Sequence, residues 1–145
     1  MSKHPELIVM LTHNDRTVEN AYEIFDACKD AKAKYWGFKE VGIPLDEMKK
    51  LCSYMKACGK TTFLEVVAYT EEECLAGAKM AVECGFDCLM GTIFFDSILD
   101  YCKQHDLRYM PFVGKITGRP SVLEGTIDGM IEEANSLLAK GVYGI

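Results

Sequence analysis

The chain has 145 residues, of which 49% are hydrophobic and 26% charged, a balance typical of soluble globular domains rather than of disordered chains. Its net charge of −6 argues against a nucleic-acid partner, because such binding draws on clustered Lys and Arg. No segment approaches the roughly 20 apolar residues that span a bilayer, and Met1–Pro5 lacks the apolar core of a signal peptide. We therefore expect a single cytoplasmic domain over residues 1–145 that has no membrane partner.

Short runs rich in apolar, β-branched and aromatic residues recur along the chain and predict β-strands. Between them, apolar residues at three- and four-residue spacing predict helices with one buried face. The predicted strands are, in chain order, Leu7–Thr12, Tyr35–Lys39, Thr62–Val67, Phe86–Gly91, Tyr109–Val113 and Val142–Ile145.

Strands that alternate with helices predict βαβ units with parallel strands in an α/β fold. The chain length suits a flavodoxin-like doubly wound parallel sheet, whereas polar residues near the ends of several strands favour a barrel. We predict a TIM (β/α)8 barrel, here incomplete at about five and a half βα units, with the flavodoxin-like sheet as the alternative. Because an incomplete barrel exposes two strand edges, we also expect a homo-oligomer.

The first predicted strand ends in the sequence Thr-His-Asn-Asp, residues 12–15. His13 is a candidate acid/base, since its imidazole titrates near neutral pH. Asn14 and Asp15 precede a predicted helix, and residues of these types commonly cap helix N-termini. We therefore interpret Asn14 and Asp15 as caps and His13 as an auxiliary catalytic residue.

Side chains alternate across a strand, and this alternation assigns Lys39 and Glu65 to a face. Trp36 and Phe38 are expected to meet the helices, so Lys39 points the other way, and Glu65 does the same on the next strand. Two interpretations stay open. Desolvation could shift both pKa values and make Lys39 a nucleophile and Glu65 a proton shuttle, or the two could be an ion pair in which each charge neutralises the other.

The segment Gly114–Ser121 is the one extended loop that the sequence predicts. Lys115, Thr117 and Arg119 combine two cations and a hydroxyl, and such groups with a glycine-rich backbone can bind phosphate. Solvated loop charges are the other interpretation.

Seven cysteines lie along the chain without a C-x-x-C pair, and the histidines and carboxylates show no metal-ligand spacing. We expect the thiols to pack as small apolar groups. The sequence predicts no metal site and no cofactor.

The segment Leu64–Thr70, with the sequence Leu-Glu-Val-Val-Ala-Tyr-Thr, is followed by a predicted helix and by Met90–Thr92. This pattern resembles the class I keto-deoxy-phosphogluconate aldolases, a family of phosphate-binding barrels, and the chain is also similar to uncharacterised bacterial barrel proteins. The resemblance implies that Glu65 handles protons beside a Schiff-base lysine and that Thr92 lies at the same ligand-binding mouth. The family has an arginine in place of Tyr69. Its lysine falls beyond residue 145, so Lys39 or Lys115 would replace it.

The leading hypothesis is a barrel enzyme of the lyase, aldolase or isomerase type that acts on a small phosphorylated sugar or keto acid. Lys39 would be the nucleophile or electrostatic partner and Glu65 the acid/base. The alternative is a non-catalytic, ligand-sensing regulatory protein of barrel ancestry. A flavodoxin-like redox or signalling module is a third hypothesis, and the absence of a phosphate-binding loop after the first strand argues against flavin.

Overall fold

The structure, a computed structural model, describes residues 6–145, so Met1–Pro5 lie outside the described residues. Its elements are, in chain order, β1 (Ile8–Met10), β2 (Thr12–His13), β3 (Arg16–Thr17), α1 (Ala21–Cys28), β4 (Tyr35–Lys39), α2 (Leu45–Ala57), β5 (Thr61–Ala68), α3 (Glu71–Cys84), β6 (Cys88–Thr92), α4 (Asp96–Gln104), β7 (Arg108–Met110), β8 (Lys115–Thr117), β9 (Val122–Glu124) and α5 (Ile127–Lys140). Among the described helices, none has the length and apolar character needed to cross a membrane.

Five of the strands form one parallel sheet, in the order β1-β4-β5-β6-β7. The remaining strands pair as two antiparallel hairpins, β2–β3 and β8–β9. The predicted α/β class with a parallel sheet is therefore confirmed. The five parallel strands end at one edge of the sheet, called the carboxyl edge below, where polar side chains from different strands can meet.

The core lies between the sheet and the helices. Trp36, Phe38 and Leu64 belong to one buried cluster that also holds residues of all five helices. The ring of Trp36 meets that of Phe25 in α1 edge to face, with 5.2 Å between the centroids. The predicted alternation of faces in β4 and β5 is thus confirmed, and Lys39 and Glu65 share the opposite face.

Helix α3 packs against β5 at residue 77, which is a glycine. A Cβ atom at Gly77 would lie 2.6 Å from Cγ1 of Val66, a distance that real Cβ contacts do not reach. Because glycine has no side chain, the backbone of α3 can approach the side chain of Val66 in β5.

Two predicted segments differ from the structure. The predicted loop Gly114–Ser121 is mostly part of the β8–β9 hairpin, with Gly118 in its turn at a φ of 79°. The sequence predicts a strand over Val142–Ile145, but these residues do not form one. Tyr143 N nevertheless donates a 2.8 Å hydrogen bond to Tyr109 O of β7. That one bond places the terminal segment beside β7, where a sixth parallel strand would pair.

Candidate functional site

The carboxyl edge of the sheet brings together two of the predicted catalytic residues. Lys39 is the last residue of β4, and its register partner in β5 is Glu65. Partners on neighbouring strands lie about 5 Å apart and point to the same face. The adjacency of Lys39 and Glu65 that the sequence predicted is confirmed.

The hydrogen bond of the Lys39 ammonium goes to a different carboxylate. Lys39 Nζ lies 2.5 Å from Oδ1 of Asp15, although Lys39 is buried with 3% exposure and the Asp15 side chain is 62% exposed. Removing an ammonium from water is costly unless a counter-charge is bonded to it. Asp15 supplies that counter-charge.

The interpretation of Asn14 and Asp15 as helix caps is wrong. They are the two central residues of the β2–β3 hairpin, with φ of 49° and 59°, and α1 starts only after Asn20. Asn and Asp are common both at helix N-caps and in left-handed turns, so the residue types alone could not distinguish a cap from a turn.

Thr17 ties the hairpin to β4. Its hydroxyl donates to Lys39 O at 2.8 Å and accepts from Lys39 N at 2.9 Å, and Thr17 N donates to Val41 O at 2.9 Å. A Cβ at Gly42 would lie 2.1 Å from Thr17 O, so glycine is required for this approach. Sequence reasoning missed Thr17, since it lies 22 residues from Lys39 and no periodic pattern links them.

Glu40 follows Lys39 and is partly buried at the same edge. Its Oε2 is inaccessible and has no hydrogen-bond partner among residues 6–145. Burial raises the pKa of the Glu40 carboxyl, while the positive charge of Lys39 opposes that rise. The buried Lys39 ammonium is thus bonded to the Asp15 carboxylate, and two further carboxyl groups lie at the same edge on Glu40, the next residue, and Glu65, its register partner.

A cavity of about 440 Å³ opens beside Glu65. Its walls are mostly apolar, with Met90, Phe112 and Ile116 among them, and Ser121 adds a hydroxyl. Glu65 is the one side-chain carboxylate in the lining. An apolar pocket with a few converging polar groups is the usual form of a small-molecule site.

Arg119 lies above the carboxyl end of β5. Its Nη2 donates a 2.7 Å hydrogen bond to Val67 O, and the guanidinium lies over the Tyr69 ring, 5.6 Å from the centroid. The Tyr69 hydroxyl donates to Gly118 O and is bonded to Ser121 Oγ, each at 2.8 Å. The β8–β9 hairpin thus delivers one cation to the carboxyl edge and one hydroxyl to the cavity.

Lys115 and Thr117 are not brought to the same place. Both are exposed and flank the buried Ile116, which lines the cavity, so they lie on the other face of the hairpin. Lys115 Nζ lies 3.6 Å from Glu124 Oε2. The predicted anion-binding set therefore separates into Arg119 at the edge and two residues turned away from the cavity.

Thr92 is fully buried and does not line the cavity. Its Oγ1 is 2.6 Å from the hydroxyl of Tyr109, a core residue. The β5–β6 pairing is irregular between Glu65 and Ala68. Gly91 has a φ of 90°, so the alternation of side chains between the two faces of β6 is lost just before Thr92. The backbone turn directs Thr92 into the core, contrary to the place at the mouth that the resemblance implied.

His13 lies in the β2–β3 hairpin, directly opposite Arg16. Its side chain is exposed and makes no hydrogen bond or ion pair with residues 6–145. The structure places His13 near the carboxyl edge without contact to Lys39 or Glu65.

Five of the seven cysteines are buried, as expected for thiols that pack as apolar groups, while Cys28 is exposed. Burial raises the pKa of Cys52 to about 11 and that of Cys88 and Cys102 to about 12. Within residues 6–145 no group of three or more His, Cys, Asp or Glu side chains could hold a metal ion.

A larger depression of about 900 Å³ lies at the opposite edge of the sheet, around Asp87 and Arg108. It surrounds the amino ends of β6 and β7, where residues of such folds serve stability, whereas sites form at the carboxyl ends. We therefore place the candidate site at the carboxyl edge despite the smaller volume there.

No protein-family model matches the chain, and no curated protein matches it.

Proposed function

We propose that the chain is a barrel-type enzyme of the lyase, aldolase or isomerase class that moves a proton on a small phosphorylated sugar or keto acid. The observation that carries the proposal is that the buried Lys39 and Glu65 are register partners on neighbouring strands, and that Glu65 also lines an apolar cavity.

The order of the strands supports the barrel interpretation. The parallel strands neighbour one another in chain order, without a reversal. With right-handed crossovers, such an order places successive helices on the same face, which leaves the other face for a barrel interior. The open doubly wound sheet stays the alternative, because β1 and β7 are both edge strands of the described sheet.

The chemistry assigned to the site is acid/base catalysis by Glu65. A carboxylate in an apolar cavity can remove a proton from the carbon next to a carbonyl group. The negative charge that then develops on the carbonyl oxygen needs a fixed positive group close by. We assign that role to Lys39, the register partner of Glu65, although Lys39 does not itself line the cavity. Nucleophilic attack needs an unprotonated amine, so the ion pair with Asp15 favours the electrostatic role over a Schiff base.

Arg119 supports an anionic substrate. One of its N–H groups is bonded to Val67 O, which fixes the guanidinium at the carboxyl edge, and the other N–H groups are available to a ligand. A planar guanidinium matches phosphate and carboxylate in geometry as well as charge.

Deuterium incorporation into small carbonyl compounds tests the proposal directly. The protein is incubated in D₂O with a panel that includes pyruvate and dihydroxyacetone phosphate, and loss of the C–H signal is followed by NMR. We expect exchange with at least one compound and a loss of about 10²–10⁴-fold in Glu65→Gln. Glu124→Gln, which removes an exposed carboxylate of β9, is the matched control and should leave the rate unchanged. No exchange with any compound would contradict the proposal.

The ligand-sensing alternative uses the same cavity without turnover. A compound that raises the melting temperature through Arg119 but shows no deuterium exchange would favour it, because any ligand bound by the folded state stabilises that state.

The homo-oligomer also stays a prediction. Helix α5 leaves Ile127 and Ile131 exposed, at 78% and 53%, and sedimentation at low micromolar concentration would test whether copies associate.

A further inference from the structure

The backbone of Asp15 has a conformation that another residue would adopt at lower cost. The β2–β3 hairpin has a two-residue turn in which both Asn14 and Asp15 have positive φ. Hairpin turns of this kind prefer glycine at the second central position, because a side chain is disfavoured in the left-handed region. An Asp at this position therefore calls for a compensating interaction.

The carboxylate of Asp15 supplies one. Within residues 6–145, Asp15 is the one residue whose carboxylate lies within 4.0 Å of Lys39 Nζ. Glu40 follows Lys39 in the chain and Glu65 is its register partner, yet neither is hydrogen-bonded to the ammonium. Asp15 thus binds a buried cation that the carboxyl groups of the adjacent residue and of the register partner do not bind.

The hairpin is built to deliver this carboxylate. Thr17 anchors one arm of the hairpin to both backbone groups of Lys39, and Asp15 lies at its tip, two residues before the anchor. The anchor fixes the backbone of Lys39, and the tip fixes the end of its side chain. The two contacts restrict the movement of the ammonium.

We infer that Asp15 is a positioning residue of the candidate site, which holds the Lys39 ammonium in the orientation that the reaction uses. What the ammonium does to a substrate rests on the proposed function. Whether Asp15 holds the ammonium can be measured without any substrate, so the two can fail separately.

The first measurement is the acylation rate of Lys39 by acetic anhydride, an uncharged reagent, read by peptide mass spectrometry. Asp15→Gly removes the carboxylate and suits the turn, so the hairpin should fold, and the easier turn should offset part of the stability lost with the ion pair. We expect Lys39 to react about fivefold faster, the change that loss of an ion pair of about 1 kcal/mol produces. Lys49, paired with Glu83 on the helices, is the internal standard and should not change.

Asn14→Gly is the matched control, since it alters the same turn and keeps the carboxylate. An unchanged Lys39 rate in Asp15→Gly would overturn the inference. An equal rise in Asn14→Gly would also overturn it, because the turn and not the carboxylate would then control Lys39.

The second measurement is deuterium exchange with the compound that the wild-type protein turns over. Asp15→Gly should lower kcat by about tenfold with little change in KM, since a misplaced ammonium weakens stabilisation of the transition state. Asp15→Gly with full exchange activity would overturn the inference and leave the proposed function standing. The wild-type protein could show no deuterium exchange while the acylation rate of Lys39 still rises in Asp15→Gly. That result would refute the proposed function and support the conclusion that Asp15 binds the Lys39 ammonium.

Discussion

The hydroxyl oxygens of Thr92 and Tyr109 lie 2.6 Å apart in the layer between the sheet and the helices. The Tyr109 hydroxyl also donates to Ile93 O at 3.1 Å. Burial raises the pKa of the Tyr109 phenol, so this group stays a donor at neutral pH. The pair connects the end of β6 to the edge strand β7 at the point where β6 turns its side chains toward the core.

Tyr109→Phe should lower the free energy of unfolding by about 1–3 kcal/mol, because the Thr92 hydroxyl and the Ile93 carbonyl lose their partner inside the protein. Urea unfolding at pH 7 measures the change. Tyr143→Phe, which removes an exposed hydroxyl, is the control and should stay within about 0.5 kcal/mol of wild type.

The double variant Tyr109→Phe/Thr92→Val extends the test. Replacing both partners with apolar groups can be nearly neutral, so we expect it to recover much of the loss. A double variant less stable than Tyr109→Phe alone would contradict the assignment of Thr92 to this pair.

Thr17→Val should loosen the β2–β3 hairpin. Its hydroxyl satisfies both the N–H and the C=O of Lys39, and valine of nearly the same shape leaves both without that partner. We expect a loss of about 1–3 kcal/mol and faster hydrogen exchange at the Lys39 amide. Thr17→Ser keeps the hydroxyl and should retain the protection. Equal exchange in Thr17→Val and wild type would show that the hydroxyl does not hold the hairpin.

Glu40→Gln should stabilise the protein at neutral pH. Because burial raises the pKa of Glu40 above the unfolded value of 4.5, the folded state favours the protonated form. The stability that Glu40 contributes is present below pH 4.5 and is lost as the pH rises through the folded pKa. Glutamine resembles the protonated form, so we expect the variant to be more stable by about 1 kcal/mol at pH 7, a value kept low for a partly exposed group.

Urea unfolding of wild type and Glu40→Gln at pH 7 and at pH 4 checks this dependence. The difference should shrink at pH 4, where most of the carboxyl is protonated in both states. A difference of the same size at both pH values would mean that charge on Glu40 is not the cause.

The rate at which each cysteine reacts with iodoacetamide should depend on its burial. We expect the exposed Cys28 to be alkylated first, and Cys88 and Cys102 to react only after urea unfolds the chain. Raised pKa values leave almost no thiolate at neutral pH, and the thiolate is the reactive form. Peptide mass spectrometry over time gives the order. Alkylation of Cys88 in the native protein at the rate of Cys28 would contradict the burial of Cys88.

The sheet and its faces could be predicted from the sequence because they follow short-range periodicity. Trp36 and Phe38 alternate with polar or small neighbours, and that pattern alone placed Lys39 beside Glu65. The partners of Lys39 could not be predicted in this way. Asp15 and Thr17 reach it across 24 and 22 residues through a hairpin that no repeating pattern encodes.

Other parts of the site depended on local backbone geometry. Thr92 would share the face of Met90 in a regular strand, but the left-handed Gly91 breaks the alternation. Arg119 reaches Val67 O through the β8–β9 hairpin, whose short and mostly exposed strands the sequence presented as a loop. Glycines that punctuate a hairpin and glycines that open a loop look the same in a sequence.

The two hairpins follow the two edge strands of the sheet, β2–β3 after β1 and β8–β9 after β7. Each brings a charged residue back over the carboxyl edge, Asp15 from one flank and Arg119 from the other. Neither hairpin pairs within the five-stranded sheet, so residues of its turn can change while strand register is kept, provided that anchors such as Thr17 are retained. Ligand preference in this scaffold should therefore be open to directed evolution by exchange of residues in these two turns, with the central strands and their helices left untouched.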